Sequence, residues 1–150
     1  MEVSTGKGGA WVSCGVTAPE YRVACWGNNG RIPSDDAGRK LDPHPGVAFA
    51  QLSVGDEFVC ALRKDSGHAM CWGSNWYGQI TPPTAPAVAY LQVAAGSYHV
   101  CAIRADNRLL DCWGDNRKGE TDPPEGATFT QITSGGFSSC GLLVGDSTAR

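Results

Sequence analysis

The chain has 150 residues, a formal net charge of −3 and a pI near 5.5. That balance excludes nucleic-acid binding by bulk electrostatics, and no apolar run has the length of a transmembrane helix. Twenty glycines, nine prolines and no sustained apolar 3.6-residue period predict short strands joined by turns, an all-β fold.

The first residues, MEVSTGKGGAW, lack the apolar core of a signal peptide, so a secreted form has its signal removed or omitted. Residues 2–6 (EVSTG) predict a strand and turn whose counterparts are 51–55 (QLSVG), 92–96 (QVAAG) and 131–135 (QITSG). Gly6-Lys7-Gly8-Gly9 lacks the spacing and the trailing Lys-Ser/Thr of a phosphate loop. Seven cysteines follow, at positions 14, 25, 60, 71, 101, 112 and 140. They form three pairs, each eleven apart, and one remainder. Between successive pairs the chain advances 46, 41 and 39 residues, so the repeats run approximately 2–48, 49–89, 90–128 and 129–150.

The first repeat departs from the others after Trp26-Gly27, where Ile32 replaces a glycine found three residues past Asn75 and Asn116. Its long connection, 31–46, holds Pro33, Pro43 and Pro45 and predicts an irregular exposed loop. In the second repeat Phe58-Val59-Cys60-Ala61-Leu62 is apolar at both parities, which predicts a strand covered on both faces. Asp65-Ser66-Gly67 predicts a tight turn, and Ala69-Met70-Cys71-Trp72 the returning strand. Pro82-Pro83 excludes the next segment from a central ladder. The third repeat follows the same plan, with Asp106-Asn107 at the turn. Phe49, Tyr90 and Phe129 hold equivalent places. In the fourth, the spacing of eleven places the partner of Cys140 one position past Arg150. The chain is therefore expected to stop within a hairpin, and the remaining blades to come from a longer chain or from other copies.

Repeats of this length, each with about four short apolar runs, fit a four-stranded propeller blade packed between neighbours. Helical repeats of similar length need amphipathic helices that these Gly- and Pro-rich segments do not form.

Gly55, Cys60-Ala61-Leu62, Cys71-Trp72-Gly73, Asn75, Gly78 and Gln79 form a motif that returns as Gly96, Cys101-Ala102-Ile103, Cys112-Trp113-Gly114, Asn116 and Gly119, with Glu120 where Gln is usual. This motif resembles the regulator of chromosome condensation repeat, in its Cys-Trp-Gly form. The resemblance implies a seven-bladed β-propeller, of which this chain holds three blades and part of a fourth.

Within each hairpin the cysteines lie symmetrically about the turn, Cys60 and Cys71 around Asp65-Ser66, Cys101 and Cys112 around Asp106-Asn107. A two-residue loop sets such partners directly opposite, within disulfide reach. The pairs read as bridges; small reduced core residues are the other reading. Cys14 and Cys25 fit less well, because Pro19-Glu20 is not expected to form the same turn. Cys140 is left unpaired.

Trp26, Trp72 and Trp113 recur at one repeat position and predict inter-blade packing. Trp76 and Tyr77, and the equivalent Arg117 and Lys118, occupy the variable part of the Asn-x-x-Gly loop. They are the candidate binding residues, since repeat proteins put variable side chains on one exposed face; an ordinary solvated loop is the alternative.

No Cys-x-x-Cys knuckle or histidine cluster predicts a metal site, and His44, His68 and His99 lie at unrelated repeat positions. No catalytic constellation or cofactor motif is apparent, and Asp35, Asp36, Asp56 and Glu57 suit turns. The expected function is a non-catalytic binding module: an extracellular or lumenal disulfide-stabilised propeller recognising a protein or glycan. The Cys-Trp-Gly repeat is similar to that of plant crinkly-type receptor kinase ectodomains. The alternatives are an intracellular guanine-nucleotide exchange factor and an enzyme-inhibitor propeller.

Overall fold

The computed structural model describes residues 2–5, 11–28, 44–83 and 88–145. The Gly6–Gly9 stretch and most of the loop from 31 to 46 lie outside them, as do Asp35 and Asp36. The described elements are all strands: β1 (Glu2–Thr5), β2 (Trp11–Val16), β3 (Val23–Asn28), β4 (Phe49–Val54), β5 (Phe58–Arg63), β6 (Ala69–Gly73), β7 (Tyr90–Ala95), β8 (His99–Arg104), β9 (Leu110–Gly114), β10 (Phe129–Ser134) and β11 (Ser139–Leu143). They form antiparallel meanders, β1-β2-β3, β4-β5-β6, β7-β8-β9 and the pair β10-β11. The fold is three propeller blades and part of a fourth.

Each described full sheet has three strands where the apolar runs predict four. Among the described residues no fourth strand joins them; a single isolated bridge links His68 and Ala89. Pro82 and Pro83 contribute no N–H to a longer ladder.

The central strands are covered on both faces, as their composition predicts. Residues 58–62 of β5 are all buried, and so are 99–103 of β8. Alternate side chains enter different cores. Val59 and Ala61 pack with Val12, Cys14 and Phe49, whereas Phe58, Cys60 and Leu62 pack with Tyr90, Val93 and Val100. Cys101 and Ile103 then pack with Phe129 and Ile132. The second and third sheets are thus each the wall of one core and the floor of the next.

The predicted cysteine register is present. Cys14 pairs with Cys25, Cys60 with Cys71 and Cys101 with Cys112 in the ladders, and each pair is a disulfide with Cα atoms 4.1 Å apart. Cys140 is a free, exposed thiol. Closing a loop of this size contributes roughly 3 kcal/mol per bridge in the chain-entropy picture.

The turns are longer than two residues. In the second repeat Arg63 N donates to His68 O (3.0 Å) and Gly67 N to Arg63 O (2.9 Å), leaving four residues in the loop. The third repeat has the same pair of bonds, from Arg104 N to Leu109 O and from Arg108 N to Arg104 O. The first repeat has it too, from Thr17 N to Arg22 O and from Tyr21 N to Thr17 O, with a cis Ala18–Pro19 peptide. Pro19-Glu20 therefore does not prevent the common turn, because closure uses the amides of Thr17 and Tyr21 and none from Pro19. The fourth loop residue has a left-handed backbone in all three: Tyr21, Gly67 and Arg108, at φ 57°, 70° and 62°.

Neighbouring sheets meet backbone to backbone at the turns leaving the inner strands. Asp56 N donates to Ser97 O, and Ser97 N to Gly136 O, both at 3.0 Å. Gly55 and Gly96 lie in this contact. A methyl group on Gly55 would strike the Phe58 ring and lie 2.6 Å from Gly96 O, and one on Gly96 would strike His99 and lie 2.7 Å from Gly135 O. At Gly135 the nearest atom is 3.6 Å away. Gly55→Ala and Gly96→Ala are expected to lose about 1–3 kcal/mol by overpacking, and Gly135→Ala to be near neutral. Denaturant titration of the three variants checks the contrast.

His99 fills the place that Phe58 holds one repeat earlier and is 1% exposed. Its Nε2 lies 2.9 Å from Ser139 Oγ, which lies 2.8 Å from Ser134 Oγ. Burial pushes the His99 pKa down, against the smaller opposing effects of Glu120 and Asp115. The folded chain then binds fewer protons than the unfolded chain, whose histidines titrate near ~6.5. The His99 contribution to stability is complete above that value and is lost as pH falls from it through the folded pKa. Hydrogen-bonded Asp65, Asp106 and Asp115 have lowered pKa values and give way only in more acidic solution. Thermal melts between pH 7 and 5 are expected to show a stability loss that His99→Phe reduces.

Candidate functional site

In the second and third repeats the loop following the Cys-Trp-Gly strand is held by two side chains. In the second repeat Asn75 Oδ1 accepts from Ile80 N (3.1 Å), and Gln79 Oε1 accepts from Tyr77 N (2.9 Å). In the third, Asn116 Oδ1 accepts from Thr121 N (3.0 Å), and Glu120 Oε2 from Lys118 N (2.8 Å). The substitution of Glu120 for Gln is neutral to this geometry, because the frame uses only an acceptor and Gln79 Nε2 is unpaired. Gln79 and Glu120 are buried, at 0% and 7% exposure. Asn75 and Asn116 bond the loop at its surface while Gln79 and Glu120 bond it from beneath, and the side chains between them are presented outward.

Those presented side chains are Trp76, Tyr77, Arg117 and Lys118. Trp76 is 73% exposed and Tyr77 37%. The structure brings the last three into one cluster together with two residues that the sequence does not single out, Tyr98 and Phe137. Tyr77 and Tyr98 have ring centroids 5.3 Å apart, and Tyr98 and Phe137 are 6.5 Å apart. The Arg117 guanidinium lies 4.6 Å from the Tyr77 centroid, and Lys118 Nζ 5.0 Å from that of Phe137. Three aromatic rings from three successive repeats therefore form a row with cations laid against two of them. Phe137 is 54% exposed. Glu57, Tyr98 and Phe137 are equivalent positions in the inner turns, so the only sequence signal for the row is their alignment.

The charges are not equally available. Arg117 is bound to Asp115, with Nη2 to Oδ2 at 2.8 Å and Nε within 2.9–3.0 Å of both oxygens. That contact raises the Arg117 pKa and lowers that of Asp115. Lys118 Nζ has its contact with Phe137 and no carboxylate partner among the described residues. Burial, followed by the charge of Asp56, raises the Tyr98 pKa and keeps the phenol protonated. A cavity of about 290 Å³ lies beside the row, lined by Asp115, Arg117, Lys118, Glu120 and Phe137. This arrangement can stack planar or apolar groups and offer one cation to an anionic or hydroxylated group.

The recurrent tryptophans divide. Trp72 and Trp113 are 5% and 6% exposed, and Trp113 Nε1 donates to Gln79 O of the preceding repeat (2.9 Å). Trp26 is 50% exposed, contrary to the packing expected for it. An indole at this position packs on the sheet before its own, and among the described residues none precedes the first sheet.

Among the described residues no group of three His, Cys, Asp or Glu side chains could hold a metal ion, and no helix is long and apolar enough to cross a membrane.

The family model for the regulator of chromosome condensation (RCC1) repeat matches residues 49–79 and 91–120. These two stretches, in the second and third repeats, match the RCC1 repeat. Among solved structures, the chain is similar to the CRINKLY WD40 ectodomain of the Arabidopsis thaliana receptor kinase ACR4, with 27% identity and a TM-score of 0.67, over 95% of this chain and 65% of that one. It is similar to the entire ectodomain of the Physcomitrella patens receptor kinase CR4, with 25% identity and a TM-score of 0.65, over 99% of this chain and 51% of that one. Yeast RCC1 (Prp20), solved bound to Kap60, matches at 17% identity with a TM-score of 0.71, over 95% of this chain and 41% of that one, a likeness of fold. The chain thus spans about half to two thirds of the length of the two plant ectodomains.

Proposed function

We propose that this chain is part of a non-catalytic recognition propeller, extracellular or lumenal, and that it binds a protein or glycan partner through the face built from Trp76, Tyr77, Tyr98, Arg117, Lys118 and Phe137. The observation that carries the reading is the Tyr77–Tyr98–Phe137 row, which places apolar ring area in solvent on rigid frames. Exposed aromatics next to cations are enriched where binding energy is concentrated, and a preformed loop has little ordering entropy to lose. One disulfide in each full sheet supports the compartment, since such bonds persist where the surroundings are oxidising. The Cys-Trp-Gly form of the repeat and the likeness to two receptor ectodomains support it further.

Two measurements test this. Screening the protein against panels of secreted proteins and glycans is expected to give a binder whose affinity falls tenfold or more in the Trp76→Ala, Phe137→Ala double variant, with an unchanged melting temperature. A binder that holds both proteins equally places recognition elsewhere. Thiol mapping on the natively expressed protein, denatured without reductant, is expected to find Cys14, Cys25, Cys60, Cys71, Cys101 and Cys112 all oxidised; free thiols at all six would exclude the oxidising compartment.

A further inference from the structure

The turn between β7 and β8 carries Tyr98, the middle ring of the aromatic row, and ends on the buried His99. Two backbone bonds tie this turn to its neighbours in the row. Asp115 N donates to Tyr98 O (2.9 Å), and Ser97 N donates to Gly136 O (3.0 Å). A third, from Gly96 N to His99 O (2.8 Å), closes the turn on itself. Asp115 binds Arg117, and Gly136 precedes Phe137. The position of Tyr98 between Tyr77 and Phe137 therefore depends on residues 96–99.

The hydrogen bonds at His99 fix which ring nitrogen carries its proton. Ser134 Oγ donates to Ala94 O (3.3 Å), so Ser139 Oγ donates to Ser134 Oγ (2.8 Å) and accepts from His99 Nε2 (2.9 Å). A second proton must then enter at Nδ1. That nitrogen faces the α-carbon of Gly96, where a methyl group would lie 2.5 Å from it, and it has no hydrogen-bond partner among the described residues. The carboxylates that act on the ring are Glu120 and Asp115, from the loop after β9. Neither bonds it, since Asp115 holds Arg117 and Glu120 holds Lys118 N. Tyr90, Arg104 and Asp111 of β7, β8 and β9 are joined to one another at the far end of their sheet. Residues 129–143 carry no charge, and the Cys140 thiol is exposed. Across the Asp56–Ser97 contact, Asp56 and Glu57 act on Tyr98.

An imidazolium in this place would be a buried charge with one donor unpaired. Protonation therefore favours a conformation in which the ring reaches water, and the ring leaves only by giving up its contact with Gly96. We propose that His99 is a proton-operated latch beneath the binding face: in acid the 96–99 turn opens, Tyr98 leaves the row and the partner is released. The latch follows from the hydrogen bonds, whereas its effect on binding rests on the reading of the face given above. A ring that titrates near ~6.5 when open, and lower when closed, raises the open fraction by up to about thirtyfold between pH 7.4 and 5.0. The preceding repeat supplies an internal control. There Phe58 holds the same place, with Gly55 N donating to Phe58 O (3.0 Å) and Ser74 N to Glu57 O (2.8 Å), and no side chain takes up a proton.

Hydrogen exchange of the whole 150-residue protein, resolved by NMR and corrected for the pH dependence of intrinsic exchange, tests the latch without a ligand. The Gly96, Ser97 and Asp115 amides are expected to lose at least fivefold in protection between pH 7.4 and 5.0, and those of Gly55 and Ser74 less than twofold. In His99→Phe, and in His99→Gln, which keeps a donor for Ser139, the loss at Gly96 is expected to stay below twofold. Unchanged protection at Gly96, an equal loss at Gly55, or the same loss in both variants would overturn the latch. A partner from the screen described above is expected to bind at least fivefold more weakly at pH 5.0 than at pH 7.4, and to within twofold with either variant. Equal weakening in all three proteins would overturn the link to binding. If the screen yields no partner, the exchange result still decides the latch.

Discussion

The arrangement depends on how one sheet holds the next without sharing a ladder with it. Burial of Val, Phe and Trp between sheets is non-directional and leaves stacked sheets free to slide. Polar contacts along the inner strands remove that freedom. Gln51 Oε1 accepts from Val93 N (2.8 Å), and Ser53 Oγ accepts from Ala95 N (3.0 Å). One repeat further, the Gln92 amide makes both bonds to Ile132, accepting from its N–H at 2.7 Å and donating to its carbonyl at 2.8 Å. An inner strand has one edge paired in its own sheet and the other facing its neighbour. Backbone groups on that second edge would be buried without partners if the glutamine were absent, at a cost of roughly 1–3 kcal/mol for each. The recurring glutamine therefore caps an edge and fixes the inter-sheet register at once. Because Gln92 and Gln51 act on consecutive sheets in the same way, the rotation from sheet to sheet is set locally, by the same contact repeated.

A fixed inner edge allows a variable outer loop. Asn75 and Asn116, with Gln79 and Glu120, bind loop amides, so the backbone course of the loop does not depend on the side chains of residues 76, 77, 117 and 118. Trp-Tyr in one repeat and Arg-Lys in the next are accommodated on the same frame. The Tyr77–Tyr98 contact then joins the loop of one repeat to the inner turn of the next. The proposed binding face is a property of adjacent repeats together, since Tyr98 approaches Tyr77 of the repeat before it and Phe137 of the repeat after it.

The parts of this structure legible in the sequence are those set by symmetry within one repeat. Equal spacing of Cys60 from Cys71 and of Cys101 from Cys112 gives the register whatever the loop length, and this explains why the bridges are correct although the loop has four residues and not two. Apolar residues at both parities in β5 and β8 reveal two covered faces. Contacts between repeats are less legible. Gln51, Gln92 and Gln131 look like ordinary strand polar residues until the neighbouring backbone is placed beside them. Tyr98 and Phe137 correspond to Glu57 in the second repeat, so their position has no consistent chemistry to notice.

The tryptophans give this distinction its sharpest form. Disulfides act inside a hairpin and need no neighbour, so Cys14–Cys25 forms in the first sheet as the other two do in theirs. Trp26, next to Cys25, has the same motif and the same strand position as Trp72 and Trp113, yet half of it is exposed while they are buried. Nothing intrinsic to the residue distinguishes them. Trp113 is buried because the preceding repeat supplies Gln79 O and a covering wall, and Trp72 packs edge-on to His44 and tilted against Phe49. In a repeat fold the covalent bridge belongs to the repeat, while the buried indole belongs to the interface. The stability of any one blade is therefore divided between a term it carries alone and a term it receives from the blade beside it.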